Sequence, residues 1–275
     1  MSVRKIIHIA DIHIRPYQRL EEYAVKLNEL KEKIINEVKD LTYDEIRIVC
    51  SGDIVHSKNS ISNELIAFVS TWIRELEQIG KVVVISGNHD LLVDNKSRID
   101  TLTAIFTASN FQNSIHLDGY LGYDSGVVID DNIAWALYSI FSDFKRPDIE
   151  QIKKDYPNNT IIGLYHGTIV GATLNNGTTI DSGVSGDIFE GCDFVAAGDI
   201  HKRQELKRGD VTIVYPGSLI QQTFGETVTQ HGFVVWDLEE KSHKFVDLST
   251  DYALYDFEIK SAEDIDKDKE ILVNY

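Results

Sequence analysis

Short runs rich in β-branched residues alternate with longer amphipathic runs in the first part of the chain, and this alternation constrains the fold more than any other feature. Residues 5–10, 46–50 and 81–85 have the composition of buried strands. Between them, residues 20–41 and 65–79 carry apolar side chains at three- and four-residue spacing, which is typical of amphipathic helices. Strands that alternate with helices pair in parallel, so the pattern predicts an α/β fold.

The rest of the chain predicts more strands and fewer helices. A shorter helix is expected over residues 98–108, and a polar segment at 174–186 is expected to be a long loop. Strands are predicted at residues 127–129, 133–137, 160–165, 193–197, 211–215, 232–237 and 244–248. Residues 1–250 are therefore expected to form one domain. The acidic segment 251–275, in which residues 255–259 alternate like an edge strand, is expected to begin a second small domain that the chain does not complete.

The chain carries 44 acidic and 27 basic residues, which gives a formal net charge of −17. This acidity argues against an extended nucleic-acid surface, because polyanion binding usually needs a basic face. It does not exclude a phosphate substrate, since bound divalent cations supply positive charge locally. Cys50 and Cys192 lie in apolar runs and are expected to be unpaired core residues. The sequence shows no leader pattern and no membrane-spanning run, so we expect a cytoplasmic protein.

Five of the predicted strands end in short polar segments that contain the residue types of metal ligands. The segments are Asp11-Ile12-His13, Gly52-Asp53-Ile54-Val55-His56, Gly87-Asn88-His89-Asp90, His166-Gly167 and Gly198-Asp199-Ile200-His201. Sites in open α/β sheets form at the carboxyl ends of strands, so residues distant in sequence are expected to converge there. In an Asp-x-His segment, side chains i and i+2 point to one side and can bind one ion together. Carboxylate, imidazole and amide ligands suit Mn²⁺, Fe²⁺ or Zn²⁺.

Each segment also has a structural explanation when it is taken alone. A single Asp-x-His is a weak metal signal, Gly-Asn-His-Asp can be a turn with a capping Asn, and His56 can be a surface loop residue. The joint occurrence of the segments, each at a strand end, favours a metal site. The remaining histidines are interpreted as structural residues without ligand partners: His8, His116, His231 and His243.

These motifs, in this order, resemble those of the calcineurin-like metallophosphoesterases. The resemblance covers about residues 5–237. It implies a four-layer α/β/β/α sandwich in which two mixed sheets are flanked by helices. Within that superfamily, His56 and the segment Tyr215-Pro216-Gly217-Ser218 are similar to the SbcD-type nucleases of DNA double-strand-break repair, and in particular to phage-encoded members.

The resemblance implies a site for two divalent ions. It assigns the first ion to Asp11, His13, Asp53 and His201, and the second to Asp53, Asn88, His166 and Asp199, with Asp53 as the bridging ligand. It makes His89 the catalytic histidine, which stabilises the transition state or protonates the leaving oxygen. Asp90 is expected to orient the His89 imidazole, and His56 is expected to contact the scissile phosphate.

Asp199 is the one departure from this pattern, because the family usually has a histidine at that position. A carboxylate still binds metal, but it adds a negative charge and an oxygen ligand. Three carboxylates in one site favour harder ions, so Mn²⁺ is expected, with Mg²⁺ as the alternative, in preference to Zn²⁺.

Three functions are compatible with the sequence. The first is a DNA nuclease subunit that processes DNA ends with an SbcC-type coiled-coil ATPase and dimerises through helices near residues 63–79 and 98–108. Its candidate DNA contacts are Lys58, Arg98, Lys202 and Arg203, each equally explained as a solvated surface residue. The second is a phosphomonoesterase or cyclic-nucleotide phosphodiesterase of the same superfamily, and the third is a metal-poor, partner-binding scaffold. For the first, residues 251–275 would begin the family's capping domain.

Overall fold

The strands form two six-stranded mixed sheets with helices on their outer faces. The computed structural model describes residues 2–15, 17–58, 61–91, 98–142 and 145–255. The strands are β1 (Lys5–Ile9), β2 (Ile46–Ser51), β3 (Lys81–Ile85), β4 (Ser114–His116), β5 (Gly126–Asp130), β6 (Ile133–Tyr138), β7 (Thr160–His166), β8 (Phe194–Gly198), β9 (Gln204–Arg208), β10 (Val211–Tyr215), β11 (Gly232–Asp237) and β12 (Ser242–Asp247). The helices are α1 (Leu20–Val38), α2 (Asn63–Leu76), α3 (Thr101–Ser109), α4 (Leu117–Tyr120) and α5 (Ile149–Asp155), with short 3₁₀ turns at Tyr43–Glu45 and Gly186–Phe189.

The order of the strands brings the predicted polar segments to one side of the sheets. The first sheet has the order β12-β11-β1-β2-β3-β4, and the second has the order β5-β6-β7-β8-β10-β9. Strands β1, β2 and β3 are parallel neighbours in the first sheet, and β6, β7 and β8 are parallel neighbours in the second. The polar segments follow the carboxyl ends of β1, β2, β3, β7 and β8, where sites in such sheets form.

Three apolar cores separate the four layers. The first lies between the first sheet and helices α1, α2 and α3, and it contains Ile7 and Ile9. The second lies between the two sheets and contains Ile6 and Trp135. The third covers the outer face of the second sheet under α5 and contains Phe189. Neighbouring residues of β1 thus point to different cores, as the two-residue period of a strand requires. The expected four-layer α/β/β/α sandwich is confirmed.

Most of the predicted elements are present, with small differences at their ends. The strands at residues 81–85, 211–215 and 232–237 have the predicted bounds. The helix expected at 98–108 begins only at Thr101, because Asp100 caps it by accepting a hydrogen bond of 2.8 Å from the N–H of Thr103. Strands β4 and β9 and helices α4 and α5 were not predicted. Apart from Tyr255, the edge strand expected at 255–259 lies outside the described residues, as does the expected second domain from residue 256 onward.

A buried ion pair links the two sheets. The side chain of Arg47 on β2 is fully buried. Its Nε and Nη2 donate to the two carboxylate oxygens of Asp130 in the second sheet at 2.6 and 2.9 Å. Nη1 donates to the carbonyls of Asp44 and Ile46, each at 3.0 Å. Because the guanidinium is satisfied on three sides, it can be buried between the layers.

Cys50 and Cys192 are both buried and unpaired, as expected. Within the described ranges, no helix combines the length and the apolar composition that crossing a bilayer requires.

Candidate metal centre

The five polar segments meet at one edge of the two sheets. Nδ1 of His166, at the end of β7, donates to the carbonyl of Ser51, at the end of β2, over 2.7 Å. The backbone N–H of Asp199, after β8, lies 3.0 and 3.1 Å from the carboxylate oxygens of Asp11, after β1. Asn88, after β3, places its Oδ1 3.2 Å from Nε2 of His166. Segments from both sheets therefore contribute to one site.

Four of the predicted ligands have left-handed backbone conformations. They are Asp11, His13, Asp53 and Asp199, with φ of 51°, 52°, 53° and 97°. Non-glycine residues rarely adopt such values, which cost on the order of 1–3 kcal/mol each and persist at functional sites where the surrounding structure imposes them. Asp11 and His13 therefore converge through two left-handed residues, and not through the extended i, i+2 geometry that the sequence suggested.

Two glycines allow the chain to pass close to the ligands. Gly52 has a φ of 88°, and a Cβ at this position would collide with the imidazole of His166. A Cβ at Gly87 would collide with the carboxylate of Asp53. The absence of a side chain before Asp53 and before Asn88 is therefore a requirement of the site.

The ligands predicted for the second ion surround Nε2 of His166. Oδ2 of Asp53 lies 3.3 Å from this nitrogen, Oδ1 of Asn88 lies 3.2 Å from it, and Oδ1 of Asp199 lies 4.0 Å from it. Because the carbonyl of Ser51 accepts from Nδ1, that nitrogen carries a proton, and Nε2 is the nitrogen available to a metal. Asp199 is the outermost of the four, and its Oδ2 accepts a hydrogen bond of 3.0 Å from Thr168.

The ligands predicted for the first ion lie beside this set. Nε2 of His13 is 2.9 Å from Nε2 of His201 and 3.6 Å from Oδ2 of Asp53. Ligand atoms of Asp11, His13 and His201 all lie within 4.8 Å of one another, and the same holds for Asp11, Asp53 and His166. Asp53 thus faces one imidazole of each set, which is the position that a bridging ligand requires.

The electrostatics of the site fit divalent cations. Burial raises the pKa of Asp11 to about 7 and lowers the pKa of His13 well below its usual range. Burial also opposes a charge on His166 and His201, but nearby carboxylates outweigh it and raise the pKa of both imidazoles. Without ions, protons on these imidazoles balance the buried carboxylates. Cations at the same places would displace those protons, as metal binding by histidine generally does.

His89 and His56 lie next to the predicted ligands. The His89 ring centroid is 4.7 Å from that of His13 and 5.5 Å from that of His56, with which it stacks. Nδ1 of His89 lies 2.6 Å from the carbonyl of His56. A carbonyl can only accept, so Nδ1 carries a proton, and Nε2 remains available to a substrate.

Asp90 has a different task from the one expected. Its carboxylate accepts hydrogen bonds from the backbone N–H groups of Asp53, Gly87 and Val55 at 2.8, 2.9 and 3.1 Å. It therefore ties the loop after β2 to the loop after β3, and the carbonyl of His56, rather than Asp90, orients the His89 imidazole. Burial raises the pKa of Asp90 to about 8.

Glu226 contacts a predicted ligand, and the sequence did not single it out. Its Oε1 lies 2.8 Å from Nδ1 of His201, and its Oε2 accepts from the hydroxyl of Ser218 and the N–H of Gln222, each at 2.9 Å. Burial works against its charge, but these hydrogen bonds prevail and lower the pKa of Glu226. A carboxylate on the far nitrogen of a ligating histidine fixes the tautomer and orients the ring.

The four candidate DNA contacts differ in their surroundings. Lys58 donates from Nζ to the carbonyl of Asn88 at 3.2 Å, and it lines a cavity of about 190 Å³ together with Arg98 and Asp90. Arg203 is paired with Asp247 and packs over Phe245, 4.8 Å from the ring centroid. Its guanidinium therefore already has a carboxylate and an aromatic ring as partners within this chain. Lys202 is half-buried two residues before Gln204.

The sequence profile of the calcineurin-like phosphoesterase superfamily domain matches residues 5–241. The chain belongs to this superfamily. The match includes all seven predicted metal ligands together with His56, His89 and Glu226. A calcineurin-like phosphoesterase is a hydrolase that uses divalent metals, and the cluster of aspartates and histidines described above fits that chemistry.

Three known proteins are similar in sequence to this chain. An uncharacterized protein of Acanthamoeba polyphaga mimivirus is 34% identical over 259 residues, which are 91% of this chain and 18% of that protein. An uncharacterized metallophosphoesterase of Bacillus subtilis, YhaO, is 26% identical over 243 residues, or 80% of this chain and 54% of that protein. The SbcD component of the nuclease SbcCD of Staphylococcus epidermidis is 25% identical over 260 residues, or 86% of this chain and 66% of that protein. The chain spans less than two thirds of the length of each.

Proposed function

We propose that this phosphoesterase is a metal-dependent DNA nuclease subunit that hydrolyses phosphodiester bonds at DNA ends. The observation that carries the proposal is the position of His56, whose ring centroid lies 5.6 Å from that of His13 and 5.5 Å from that of His89. A third imidazole beside a ligand and the candidate catalytic histidine is suited to hold a phosphodiester. The 25% identity to a protein named as a nuclease subunit is consistent with the proposal.

The chain's own residues have distinct tasks in this reaction. Asp11, His13, Asp53 and His201 would hold one ion, and the second would be held by Asp53, Asn88, His166 and Asp199. Two divalent ions supply an activated water and neutralise charge on the phosphate. His89 presents Nε2 to the leaving oxygen while the carbonyl of His56 holds Nδ1. Asp90 holds together the two loops that carry Asp53 and His89, because its carboxylate accepts hydrogen bonds from backbone N–H groups of both.

Lys58 and Arg98 are the basic residues whose placement supports a DNA substrate. They line one cavity beside Asp90, and Lys58 also contacts the backbone of Asn88. Positive charges in that position would meet backbone phosphates next to the scissile one. With few such contacts, binding to DNA would be weakly salt-dependent, since the salt dependence scales with the number of phosphates neutralised.

A small phosphodiester or phosphomonoester is the second candidate substrate. The observation that favours it is the ion pair of Arg203 with Asp247, which occupies one of the four basic residues predicted to contact DNA. The net charge of −17 points the same way. A small substrate needs only the metal site and a few adjacent residues, and not an extended basic surface.

One experiment separates these functions. Purified protein would be assayed on linear duplex, single-stranded and hairpin DNA and on a small aryl phosphate, with Mn²⁺ and Mg²⁺ side by side. The proposal predicts Mn²⁺-dependent degradation of DNA that His89→Ala abolishes. Turnover of the aryl phosphate with no cleavage of DNA under either metal would replace the nuclease by a small-molecule phosphoesterase. Protein that binds no metal would favour the scaffold.

Three further features belong to the proposal. The first is work with an SbcC-type ATPase in the cytoplasm, and the second is Mn²⁺ as the working ion.

The third is a homodimer through α2 and α3, which contact each other through the hydroxyls of Ser70 and Ser109 at 2.9 Å. Ile61 and Ile99, which precede these helices, are 45% and 64% exposed. Sedimentation equilibrium of the wild type and of an Ile61→Lys, Ile99→Lys double variant would test the dimer, and a monomeric wild type would rule it out.

A further inference from the structure

Arg15 stands two residues beyond His13, in the loop after β1, and among the described residues its guanidinium meets no carboxylate. Its Nη2 lies 3.3 Å from the side-chain oxygen and 3.5 Å from the carbonyl of Gln222, and both of these oxygens are uncharged. Its Nε is buried and meets no hydrogen-bond partner in the described part of the chain. By contrast, Arg19 pairs with the carboxylate of Glu22 at 2.5 Å.

The position of Arg15 is fixed on two sides by residues that reach the metal site. On one side, the N–H of His56 donates to the carbonyl of Ile14 at 3.0 Å. The residue that precedes Arg15 in the chain is therefore bonded to the backbone of His56.

On the other side, Gln222 anchors the guanidinium, and it is itself held in place. Its Nε2 donates to the carbonyl of Ile12 at 3.1 Å, and its backbone N–H donates to Oε2 of Glu226 at 2.9 Å. Glu226 in turn contacts His201. Arg15 therefore lies between His56 and the loop that supports His201, on the side of the site predicted for the first ion.

We propose that Arg15 is a substrate-binding residue whose guanidinium holds a non-bridging oxygen of the substrate phosphate. The inference deepens the proposed function and rests on it for the identity of the substrate as a phosphodiester. An arginine suits this task because its planar fork presents several N–H donors to phosphate oxygens. The donors not occupied by Gln222 are available for that purpose.

Charge gives a second argument for this role. Three of the predicted metal ligands are carboxylates, and the whole chain has a net charge of −17. A phosphate that approaches such a site needs positive charge beyond that which the carboxylates cancel. Arg15 supplies it from a half-buried position, where a charge-assisted hydrogen bond is stronger than at an exposed surface.

The test compares Arg15→Gln, Arg15→Lys and a matched control, Arg74→Gln, which removes an exposed arginine of α2. Isothermal titration of the Mn²⁺-loaded proteins with inorganic phosphate measures the contact without turnover. We expect Arg15→Gln to weaken phosphate binding about tenfold or more. We expect an intermediate loss for Arg15→Lys, which keeps the charge without the fork, and no change for the control.

Mn²⁺ affinity and melting temperature, measured on the same proteins, separate substrate binding from a structural role. The proposal requires both to stay near wild type in Arg15→Lys, while KM for bis(p-nitrophenyl) phosphate rises more than kcat falls. Wild-type phosphate affinity in Arg15→Gln would overturn it, as would loss of Mn²⁺ binding together with phosphate binding in both variants. If the wild type binds phosphate but does not cleave DNA, the proposed nuclease function is wrong. The phosphate titration of the Arg15 variants would then still decide whether Arg15 binds phosphate.

Discussion

Replacing Glu226 with glutamine should weaken one metal site and leave the other intact. Oε1 of Glu226 meets Nδ1 of His201 at 2.8 Å, and Oε2 meets the hydroxyl of Ser218 and the N–H of Gln222. The amide of glutamine keeps the size of the side chain but removes its charge. It also turns one acceptor into a donor, so the amide cannot accept from both His201 and Gln222.

The expected loss follows from the contact with His201. A hydrogen bond to a charged group contributes about 1.5–3 kcal/mol, and a neutral one contributes about 0.5–1.5 kcal/mol. The difference of about 1–2 kcal/mol corresponds to roughly a 5- to 30-fold lower affinity for the ion that His201 binds. Substitutions of carboxylates that support metal-binding histidines generally lower affinity about 10- to 100-fold, which overlaps with this range.

Isothermal titration with Mn²⁺ would measure the effect on both sites. Glu190→Gln is the control, because it removes the same charge from an exposed position. We expect one of two binding steps to weaken in Glu226→Gln, while Glu226→Asp keeps the charge and loses less. Two unchanged binding steps in folded Glu226→Gln would refute the reasoning. Equal weakening of both steps, with a lower melting temperature in the absence of metal, would show that Glu226 serves the fold rather than His201.

Three other perturbations test the fold and the site. Asp199→His replaces an oxygen ligand with a nitrogen ligand, so competition titrations should show a shift in preference from Mn²⁺ toward Zn²⁺, and an unchanged ratio would contradict the assignment of Asp199 as a ligand. Arg47→Ala removes the buried guanidinium that pairs with Asp130 and Asp131 and leaves Asp130 only its longer contacts with Trp135 and Lys81. It should lower the free energy of unfolding in urea by roughly 3 kcal/mol; a loss below about 1 kcal/mol would show that the pair contributes little. Burial lowers the pKa of His8 to about 3, so the unfolded chain binds a proton below about pH 6.5 that the native state does not bind, and stability is lost as the pH falls. Between pH 7.5 and 5, metal-free wild type should therefore lose about 2 kcal/mol relative to His8→Leu, and parallel pH profiles of the two proteins would argue against this linkage.

The sequence predicted the strands best where both of their faces are buried. Strands β3 and β10 have apolar side chains at four of their five positions, because each lies between two apolar cores, and their bounds were predicted without error. Strand β9 has the sequence Gln-Glu-Leu-Lys-Arg and lies at the edge of the second sheet, where one face is solvated. Strand β4 has three residues and helix α5 buries two isoleucines, so neither has a readable period.

The sequence identified the candidate ligands but not the residues that support them. A ligand at the end of a strand is easy to recognise in the sequence. Asp53 and His166 are polar residues that follow apolar runs at the carboxyl ends of strands, where sites in such sheets form. Glu226 has no such signal, since it lies in a loop 25 residues after His201 and meets it only in the folded chain. Asp90 was misassigned for the same reason. Its neighbour in sequence is His89, but its hydrogen bonds go to backbone groups of two loops.

The positions of the charged side chains explain how an acidic chain can bind a phosphate substrate. The carboxylates of Asp11, Asp53 and Asp199 lie where cations would bind, so they prepare the site for ions rather than repel the substrate directly. Few basic groups among the described residues lie next to the site, and they differ in the groups that they contact. Arg203 is neutralised by Asp247, whereas Lys58 and Arg15 contact uncharged oxygens within the described part of the chain. Substrate binding at this site should therefore depend on the ions, on these two side chains and on Arg98, which lines one cavity with Lys58, and far less on the rest of the surface.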